Sequence, residues 1–343
     1  MFVTKKVLIS DLKLAWTEAI DSKENGTVFQ SFEWNSNWMA SFRPAQEQVV
    51  LAVFDNHDLV AIIPVYSRKI LLFWLYHFIG DNVSDYADLV IIRDSEALMN
   101  YLMEFRDKQF TGINKFFFFR NIALDSWAFK LWRSNCASVP FSQTVISKNE
   151  EFYLKNNCKK KQVKNNDRLI KRLEEKGNLE FEMFDSSHDN LSGLIENKKI
   201  SLAVKNQSSI LFNPSFKVMF KKLIDNKNGH WFISTLKING QVIASSINAI
   251  HGTRFYYYMP SFDNEFYKFS PSSLLLQFLL NELGSMDHIK TIDFLKGDES
   301  YKSIWAIDHC REELVMMSNT GVSSLKFLNR IRHSKLISKL KSV

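Results

Sequence analysis

The sequence has few cysteines and lacks the motifs of common nucleotide-hydrolysing or hydride-transferring enzymes. Three cysteines, Cys136, Cys158 and Cys310, lie far apart in a chain of 343 residues, and none has C-x-x-C or Cys/His metal-ligand spacing. This pattern predicts reduced thiols in the cytoplasm, without a disulfide framework, a zinc site or any other metal. A P-loop, a G-x-G-x-x-G segment and Ser-Lys or Cys-His nucleophile signatures are also absent, which excludes common nucleotide hydrolases and dehydrogenases.

Long hydrophobic runs are missing as well. The longest apolar run, residues 70–79, contains His77 and is about half of the ~20 residues that a spanning helix needs. The first twenty residues hold no apolar run of signal-peptide quality. Hydrophobic residues make up 45% and charged residues 24%, as in globular proteins, and the length fits two domains. We therefore expect a soluble, cytoplasmic protein.

The net charge of +7 suits a phosphate-bearing or anionic partner. It also lies within the range of ordinary cytoplasmic proteins, so charge alone does not predict nucleic-acid binding.

Residues 231–305 are the most informative stretch. Two β-rich runs meet at Asn239-Gly240, the strongest short-range signal of a hairpin. An aromatic strand follows over 254–262, and Ser270-Pro271 marks the start of a helix, with Ser at the N-cap and Pro at the first helical position. A buried strand and a short amphipathic helix close the stretch. A helix N-terminus just past a strand offers unpaired N–H groups and a positive dipole end, which suits a phosphate.

These residues carry a resemblance to a known superfamily. The order of elements resembles the acetyl-CoA-binding core of GNAT acyltransferases, and more narrowly the bacterial branch related to FemAB proteins and to CelD proteins of cellulose biosynthesis. Ser272 stands where that branch often has Gly, which bears on how closely the backbone can approach a pyrophosphate. The segments FQSFEWNSNWMASF and DYADLVI also look like this branch, so the resemblance covers most of the chain. The matching motif positions are Ser270-Pro271, Asp293-Phe294, Gly297, Tyr301-Lys302 and Trp305.

The first half repeats the element order of the second, without sequence identity. The resemblance implies an α/β (α+β) fold of two tandem GNAT-like domains, each a mixed, mostly antiparallel sheet flanked by helices. We expect domains at 1–150 and 151–320, and a basic amphipathic helix at 321–343. Asp94 and Glu96 flank the helix start of the first half and would repel a pyrophosphate. We therefore place the donor in the second half and interpret the first as a degenerate copy that shapes an acceptor cleft.

The resemblance implies acetyl-CoA or another acyl-CoA as donor. Backbone N–H groups at the helix start would bind its diphosphate, and an N–H of the strand near Tyr256 would stabilise the oxyanion. Lys302 is a candidate for contact with phosphate or acceptor. The predicted donor-binding residues are Tyr257, Tyr258, Met259, Lys268, Ser270, Ser272, Ser273, Leu274 and Lys302.

Transfer to an amine also needs a base, for which Asp263, Asp293 and Glu299 are candidates, with Tyr301 as a candidate acid. Each carboxylate could instead be a cap or a surface group. His251 lies at a hairpin end and is interpreted as a turn residue.

Other segments leave alternatives open. The aromatic stripe of Trp34, Trp38 and Phe42 fits a ligand cleft or helix packing on a sheet, and the basic segment 155–176 fits a polyanion contact or a solvated helix. Helices predicted over 191–203 and 212–224 would border the acceptor. The C-terminal helix could contact the inner membrane face, dock on its own domain, or dock on a second subunit in an oligomer.

Three functions follow. The first is an N-acyltransferase that uses acyl-CoA and acts on an amino group of an amino sugar or of another polysaccharide or cell-envelope precursor. The second is a FemAB-type transferase with aminoacyl-tRNA as donor. The third is a non-catalytic binding subunit of a polysaccharide-synthesis system.

Overall fold

The computed structural model describes residues 1–21, 26–70, 72–110, 114–133, 147–153, 160–185, 187–204, 209–227, 229–296, 299–305 and 309–318. The described strands are β1 Phe2–Leu8, β2 Val49–Asp55, β3 Asp58–Ile63, β4 Val65–Ile70, β5 Phe73–Phe78, β6 Val90–Ile91, β7 Lys115–Ala123, β8 Ser147–Tyr153, β9 Leu179–Asp185, β10 Trp231–Ile238, β11 Gln241–His251, β12 Arg254–Phe262, β13 Thr291–Lys296 and β14 His309–Ser318. The described helices are α1 Lys13–Asp21, α2 Phe32–Phe42, α3 Glu96–Gln109, α4 Trp127–Arg133, α5 Lys160–Glu174, α6 His188–Val204, α7 Pro214–Asp225, α8 Pro271–Gly284 and α9 Ser300–Trp305.

The chain divides into two compact units that are not continuous in sequence. The described residues of the first unit lie within 1–15, 49–147 and 313–318, and those of the second within 16–48 and 148–312. The change of unit near residue 148 falls close to the predicted boundary, but residues 16–48 pack with the second unit. The predicted domain boundaries at 1–150 and 151–320 stay a prediction. The helix predicted at 321–343 lies outside the described residues.

The first unit contains two groups of paired strands. β1, β2, β3 and β6 form an antiparallel sheet in that order. β4 pairs antiparallel with β5, and β5 pairs parallel with β7 across the connection that contains α3. Apolar side chains from these strands and from α3 and α4 form one core.

The second unit is a mixed sheet in the order β8-β13-β12-β11-β10-β9. Only the β12–β13 pair is parallel among these strands. The predicted hairpin joins β10 to β11, with Asn239 at φ 48° and Gly240 at φ 79°, as a type I′ turn requires. Helix α8 forms the connection between β12 and β13, and its leucines pack in the core of this unit.

The two units share one topology. In each, an antiparallel pair is followed by a parallel partner strand, and a helix lies in the parallel connection: β4-β5-α3-β7 in the first unit, β11-β12-α8-β13 in the second. The repeat inferred from the sequence pattern is therefore present at the level of topology.

Some predicted elements differ from the structure. The continuous aromatic run NKFFFFR predicts a strand buried on both faces, but β7 alternates. Phe117 and Phe119 are buried, while Phe118 is partly exposed beneath the Arg120 guanidinium. Side chains of a strand with one face on the core alternate between buried and exposed. A run of identical residues does not show this alternation in the sequence. The sequence pattern also predicts a strand over 140–147, and this segment lies almost entirely outside the described residues. Among the described helices, none has the length and hydropathy needed to cross a bilayer.

Candidate active site

The second unit opens between two of its strands. β12 and β13 pair only at their first three positions, from Arg254–Thr291 to Tyr256–Asp293. The ladder between them ends there, although β12 continues to Phe262 and β13 to Lys296. Strands that pair at one end and separate at the other leave room for a ligand between their backbones.

A register shift marks the same place on the other side of β12. Ile247 of β11 lies opposite Met259, whereas the next residue, Asn248, lies opposite Tyr257. The extra residue on β12 is Tyr258, and such a bulge re-aims backbone groups next to functional sites. The predicted positions Tyr257, Tyr258 and Met259 are therefore at the opening. Lys198 of α6 donates to the Pro260 carbonyl at 3.0 Å, so this helix lies beside the same part of β12. That the helix borders the acceptor stays a prediction.

Beyond the ladder, β13 contains a strained residue. Leu295 adopts φ 61°, a left-handed conformation that bulky residues rarely take and that clusters at functional sites. Asp293, which is fully buried, accepts the Leu295 N–H at 2.7 Å through Oδ1, and its Oδ2 lies 3.4 Å from Arg254 Nη1. Both carboxylate oxygens are thus engaged. This geometry favours a positioning role over the predicted role of base.

Lys302 also holds this turn. Its ammonium group is buried and donates to the carbonyls of Leu295 and Lys296 at 2.9 and 3.0 Å, and it pairs with Glu299 at 2.9 Å. Because an ammonium has three N–H donors, these contacts argue against the predicted bond from Lys302 to a phosphate. The prediction differs from the structure because the carbonyl groups at the end of β13 lie beside the lysine. The sequence does not reveal this contact.

The remaining candidates for proton transfer occupy different surroundings. Asp263 caps a 3-10 turn, with Oδ1 accepting the Glu265 N–H at 3.0 Å, which matches its alternative interpretation as a cap. Tyr301 packs edge-on against Tyr257 and Phe294, with ring centroids 6.3 and 6.0 Å away. Burial raises the pKa of Tyr257 well above its usual range, so its hydroxyl stays protonated. The Glu299 side chain is 57% exposed.

The start of α8 lies at the surface. Ser270 is exposed and left-handed, at φ 49°, and acts as the N-cap before Pro271, as predicted. Its carbonyl accepts the N–H groups of Ser273 at 2.8 Å and Leu274 at 3.3 Å. Two of the three predicted donors are therefore engaged within the helix. The Ser272 N–H has no acceptor among the described residues and remains available to a ligand.

Helix α5 is fixed beside this helix start. The buried Asn166 amide donates to the Ser273 carbonyl at 3.1 Å and contacts its hydroxyl at 3.2 Å, and Gln162 Nε2 reaches the same hydroxyl at 3.3 Å. One turn further on, Gln277 donates to Asp167 at 2.8 Å. The Ser273 side chain thus joins two helices and is not directed at a ligand.

Three cations surround the same end of α8. The guanidinium of Arg172 and the ammonium of Lys176 lie 5.6 and 5.9 Å from the ring centroid of Phe269, the residue before Ser270. Lys268, a predicted donor-binding residue, is exposed in the preceding turn. Together with the positive end of the helix dipole, these charges favour an anion.

The corresponding helix of the first unit is different. Ser95 caps α3 by accepting the Leu98 N–H at 3.1 Å, and Glu96 stands in the first turn. A capped and acidic helix start disfavours a diphosphate. The assignment of the donor to the second half stays a prediction.

Comparisons with known proteins fit this arrangement. A family model described as an acetyltransferase (GNAT) domain matches residues 160–303, from the first residue of α5 into α9. The matched stretch is similar to a GNAT acetyltransferase domain and contains the whole of α8. The protein is an N-acyltransferase, as predicted, and such a domain implies an acyl-CoA donor. No curated protein matches the sequence significantly.

Solved structures resemble the chain over nearly its whole length. The crystal structure of FemX is 12% identical with a TM-score of 0.60, and the match covers 95% of this chain and 99% of that one. The C-terminal domain of a protein named as a lysylphosphatidylglycerol synthetase from Agrobacterium fabrum is 12% identical with a TM-score of 0.57, covering 93% and 95%. A conserved protein of unknown function from Bacteroides thetaiotaomicron VPI-5482 is 12% identical with a TM-score of 0.56, covering 92% and 100%. At these identities the likeness shows the fold, and the predicted tandem GNAT-like architecture is confirmed. The narrower likeness to CelD proteins stays a prediction.

The first unit contains a charged cluster that was not among the predicted site residues. His77 Nδ1 lies 3.2 Å from Asp81 Oδ2, and Arg120 pairs with the other oxygen of this carboxylate. Burial alone would raise the pKa of Asp81, but the hydrogen bond to His77 and the Arg120 charge hold it below its ordinary value. The HxxxD spacing of His77 and Asp81 at the end of β5 could have indicated two members of this cluster. The third member, Arg120, comes from β7.

A second unforeseen group lies in the second unit. His251 is buried and faces His230, so it is more than the turn residue it was interpreted to be. Burial, together with the nearby His230 and Arg254, lowers the pKa of His251 to about 4. Its ring is therefore neutral at neutral pH.

The aromatic stripe of α2 packs inside the second unit. Trp34 is fully buried and stacks on Trp231 of β10 with ring centroids 4.7 Å apart. Trp38 is buried too and stacks on Phe42. Packing on a sheet, one of the two interpretations of this stripe, accounts for it.

Proposed function

We propose that this protein transfers an acyl group, with acetyl as the first candidate, from acyl-CoA to an amino group of an amino sugar or of another polysaccharide or cell-envelope precursor. The observation that carries the proposal is the start of α8, a helix N-terminus without a side-chain cap. Its Ser272 N–H has no acceptor among the described residues, and Arg172, Lys176 and Lys268 lie near Phe269. A CoA diphosphate needs such an anion site.

The chemistry would take place where β12 and β13 separate. The amine nitrogen attacks the thioester carbonyl, the carbonyl oxygen becomes an oxyanion, and the CoA thiolate leaves as the tetrahedral intermediate collapses. The bulge at Tyr258 is the best place for a backbone N–H that stabilises the oxyanion, since it re-aims backbone groups beside the opening.

Proton transfer falls to the residues with access to solvent. Glu299 is the best of the three predicted bases, because Asp263 serves as a cap and Asp293 is buried with both oxygens engaged. Tyr301 remains the candidate acid that protonates the leaving thiolate.

A specific observation also favours aminoacyl transfer as a second candidate. The outer face of α5 exposes Lys161, Lys164, Arg168 and Lys171 next to the α8 start, which would suit the phosphates of a tRNA. The fold shared with FemX over 95% of the chain is consistent with this alternative, as is the likeness to the Agrobacterium protein named as a lysylphosphatidylglycerol synthetase.

Two titrations separate the candidates. Calorimetry of the full chain with acetyl-CoA should show saturable binding to one site, and charged tRNA should show none at 150 mM salt. A thiol-release assay with glucosamine-type acceptors then tests transfer. Binding of charged tRNA without binding of CoA would overturn the first proposal in favour of the second.

Localisation and assembly are further proposals. We expect the protein in the cytoplasm, with contact to the inner membrane face or to a second subunit through residues 321–343. These residues lie outside the described part, and the prediction rests on their basic amphipathic pattern.

A further inference from the structure

Three potential metal ligands converge in the second unit, away from the α8 start. One donor atom each from Asp21, His230 and His251 lies within 4.8 Å of the others. Asp21 ends α1, His230 immediately precedes β10, and His251 ends β11. Two imidazoles and one carboxylate are a donor set that binds first-row divalent ions.

His251 gives the independent sign of a ligand. His251 is only 5% exposed, and neither its Nδ1 nor its Nε2 has a hydrogen-bond partner among the residues that the structure describes. Buried polar groups are nearly always satisfied, so an imidazole without a partner calls for an explanation such as an ion.

His230 is oriented as metal-binding histidines usually are. Its Nδ1 lies 2.9 Å from the Ile250 carbonyl oxygen, which can only accept, so Nδ1 carries the hydrogen and Nε2 keeps a lone pair. The Ile250 N–H in turn donates to the His230 carbonyl at 3.0 Å, which fixes both residues at the end of the hairpin. The two imidazole rings face each other at 4.9 Å and 88°.

Asp21 completes the group from the end of a helix. The last carbonyls of the nine-residue α1 carry partial negative charge, which favours a cation beside them. Tetrahedral zinc with bonds near 2.0 Å holds its ligand atoms about 3.3 Å apart. The three donor atoms lie within 4.8 Å of one another, so they must move somewhat closer to bind it. The Asp21 side chain is exposed and can close this gap by a change of rotamer.

The surrounding charges permit a cation. Arg254 is the nearby positive group, and its guanidinium pairs with Asp293 at 3.4 Å. On the other side, Glu33 accepts the His230 backbone N–H at 3.2 Å and brings a carboxyl group close to the histidines.

We propose that Asp21, His230 and His251 form a binding site for a first-row divalent transition-metal ion, best matched by zinc with a water as fourth ligand. The ion ties the end of α1 to the β10–β11 hairpin and serves stability, not acyl transfer. This site departs from the expectation of no metal, which rested on cysteine spacing. Ligands at positions 21, 230 and 251 form no local motif.

The test uses the full chain after treatment with a chelator, titrated with zinc chloride by calorimetry and with cobalt chloride by visible absorption. We expect one equivalent of zinc, a rise in Tm with zinc, and the intense cobalt bands of a tetrahedral site. Asp21→Asn should weaken binding about 10-fold or more, and His230→Gln or His251→Gln about 100-fold.

A matched control is His188→Gln. His188 is an exposed histidine that contacts Asp225 at 2.5 Å, so it represents ordinary surface His–carboxylate binding. This variant should keep the wild-type zinc affinity. Asp21→Asn changes an exposed residue, so it tests the site even if the His251 variant fails to fold. The proposal is overturned if wild type takes up no stoichiometric zinc, or if Asp21→Asn and His188→Gln change the affinity equally.

Discussion

The substitution Ser272→Asp tests the donor site at its centre. Ser272 is the second residue of α8, and its N–H is the one predicted donor that the helix leaves open. A carboxylate there would take this N–H and face the diphosphate. At about 5 Å, with an effective dielectric constant near 40 and roughly two charges on the diphosphate, repulsion amounts to about 3 kcal/mol, or a loss of affinity of about 100-fold.

The same change should not weaken the fold. An acidic residue in the first turn stabilises a helix by about 0.3–1 kcal/mol, so the variant should be as stable as wild type or slightly more so. The molecule offers a matched control in Ser215, the second residue of α7, which also follows an N-cap and a proline. Ser215→Asp should give the same gain in stability.

The assay is calorimetric titration with CoA at 150 mM salt, together with thermal melts of wild type and both variants. We expect Ser215→Asp to bind CoA as wild type does and Ser272→Asp to bind about 100-fold more weakly. An affinity of the folded Ser272→Asp variant within about 3-fold of wild type would refute the assignment of the diphosphate to this helix start.

Three further perturbations test other parts of the account. Replacing both Arg172 and Lys176 by Ala should weaken CoA binding about 10-fold and reduce the salt dependence of binding, because exposed charges attract a ligand through screened electrostatics. An unchanged salt dependence would show that these two residues do not contribute to the site. Burial raises the pKa of Asp88 from its ordinary value of 3.8 to about 6. The folded state therefore holds this proton more tightly than the unfolded state and loses stability as pH rises between about 4 and 6. The free energy of unfolding of wild type relative to Asp88→Asn should therefore fall by up to ~3 kcal/mol across that range in urea titrations, and a flat difference would contradict the shift. Trp34→Ala removes a fully buried ring stacked on Trp231 and should cost about 3–5 kcal/mol by the same measurement, whereas a cost below about 1 kcal/mol would place Trp34 in an open cleft.

Local chemistry made much of the second unit predictable. Asn239-Gly240 specifies its turn because both residues tolerate positive φ, and Ser270-Pro271 marks the start of α8 because proline fits the first helical position. The order of these elements was enough to indicate the superfamily. In the first unit, the topological repeat was readable from element order although no residues matched.

Contacts between distant residues could not be predicted in this way. Lys302 was a predicted contact for phosphate or acceptor, but its ammonium group donates to the carbonyls of Leu295 and Lys296. The cations beside α8 include Arg172 and Lys176, about a hundred positions away in sequence, which only the packing of α5 brings to Phe269. No short sequence motif indicates a side-chain role that depends on such long-range contacts.

A crystal structure of the protein with bound CoA tests the central claim most directly. The account predicts diphosphate oxygens within hydrogen-bond distance of the Ser272 nitrogen, near Arg172 and Lys176, with the pantetheine arm running between β12 and β13. A diphosphate bound at the start of α3, or one bound in the second unit without contact to α8, would contradict it.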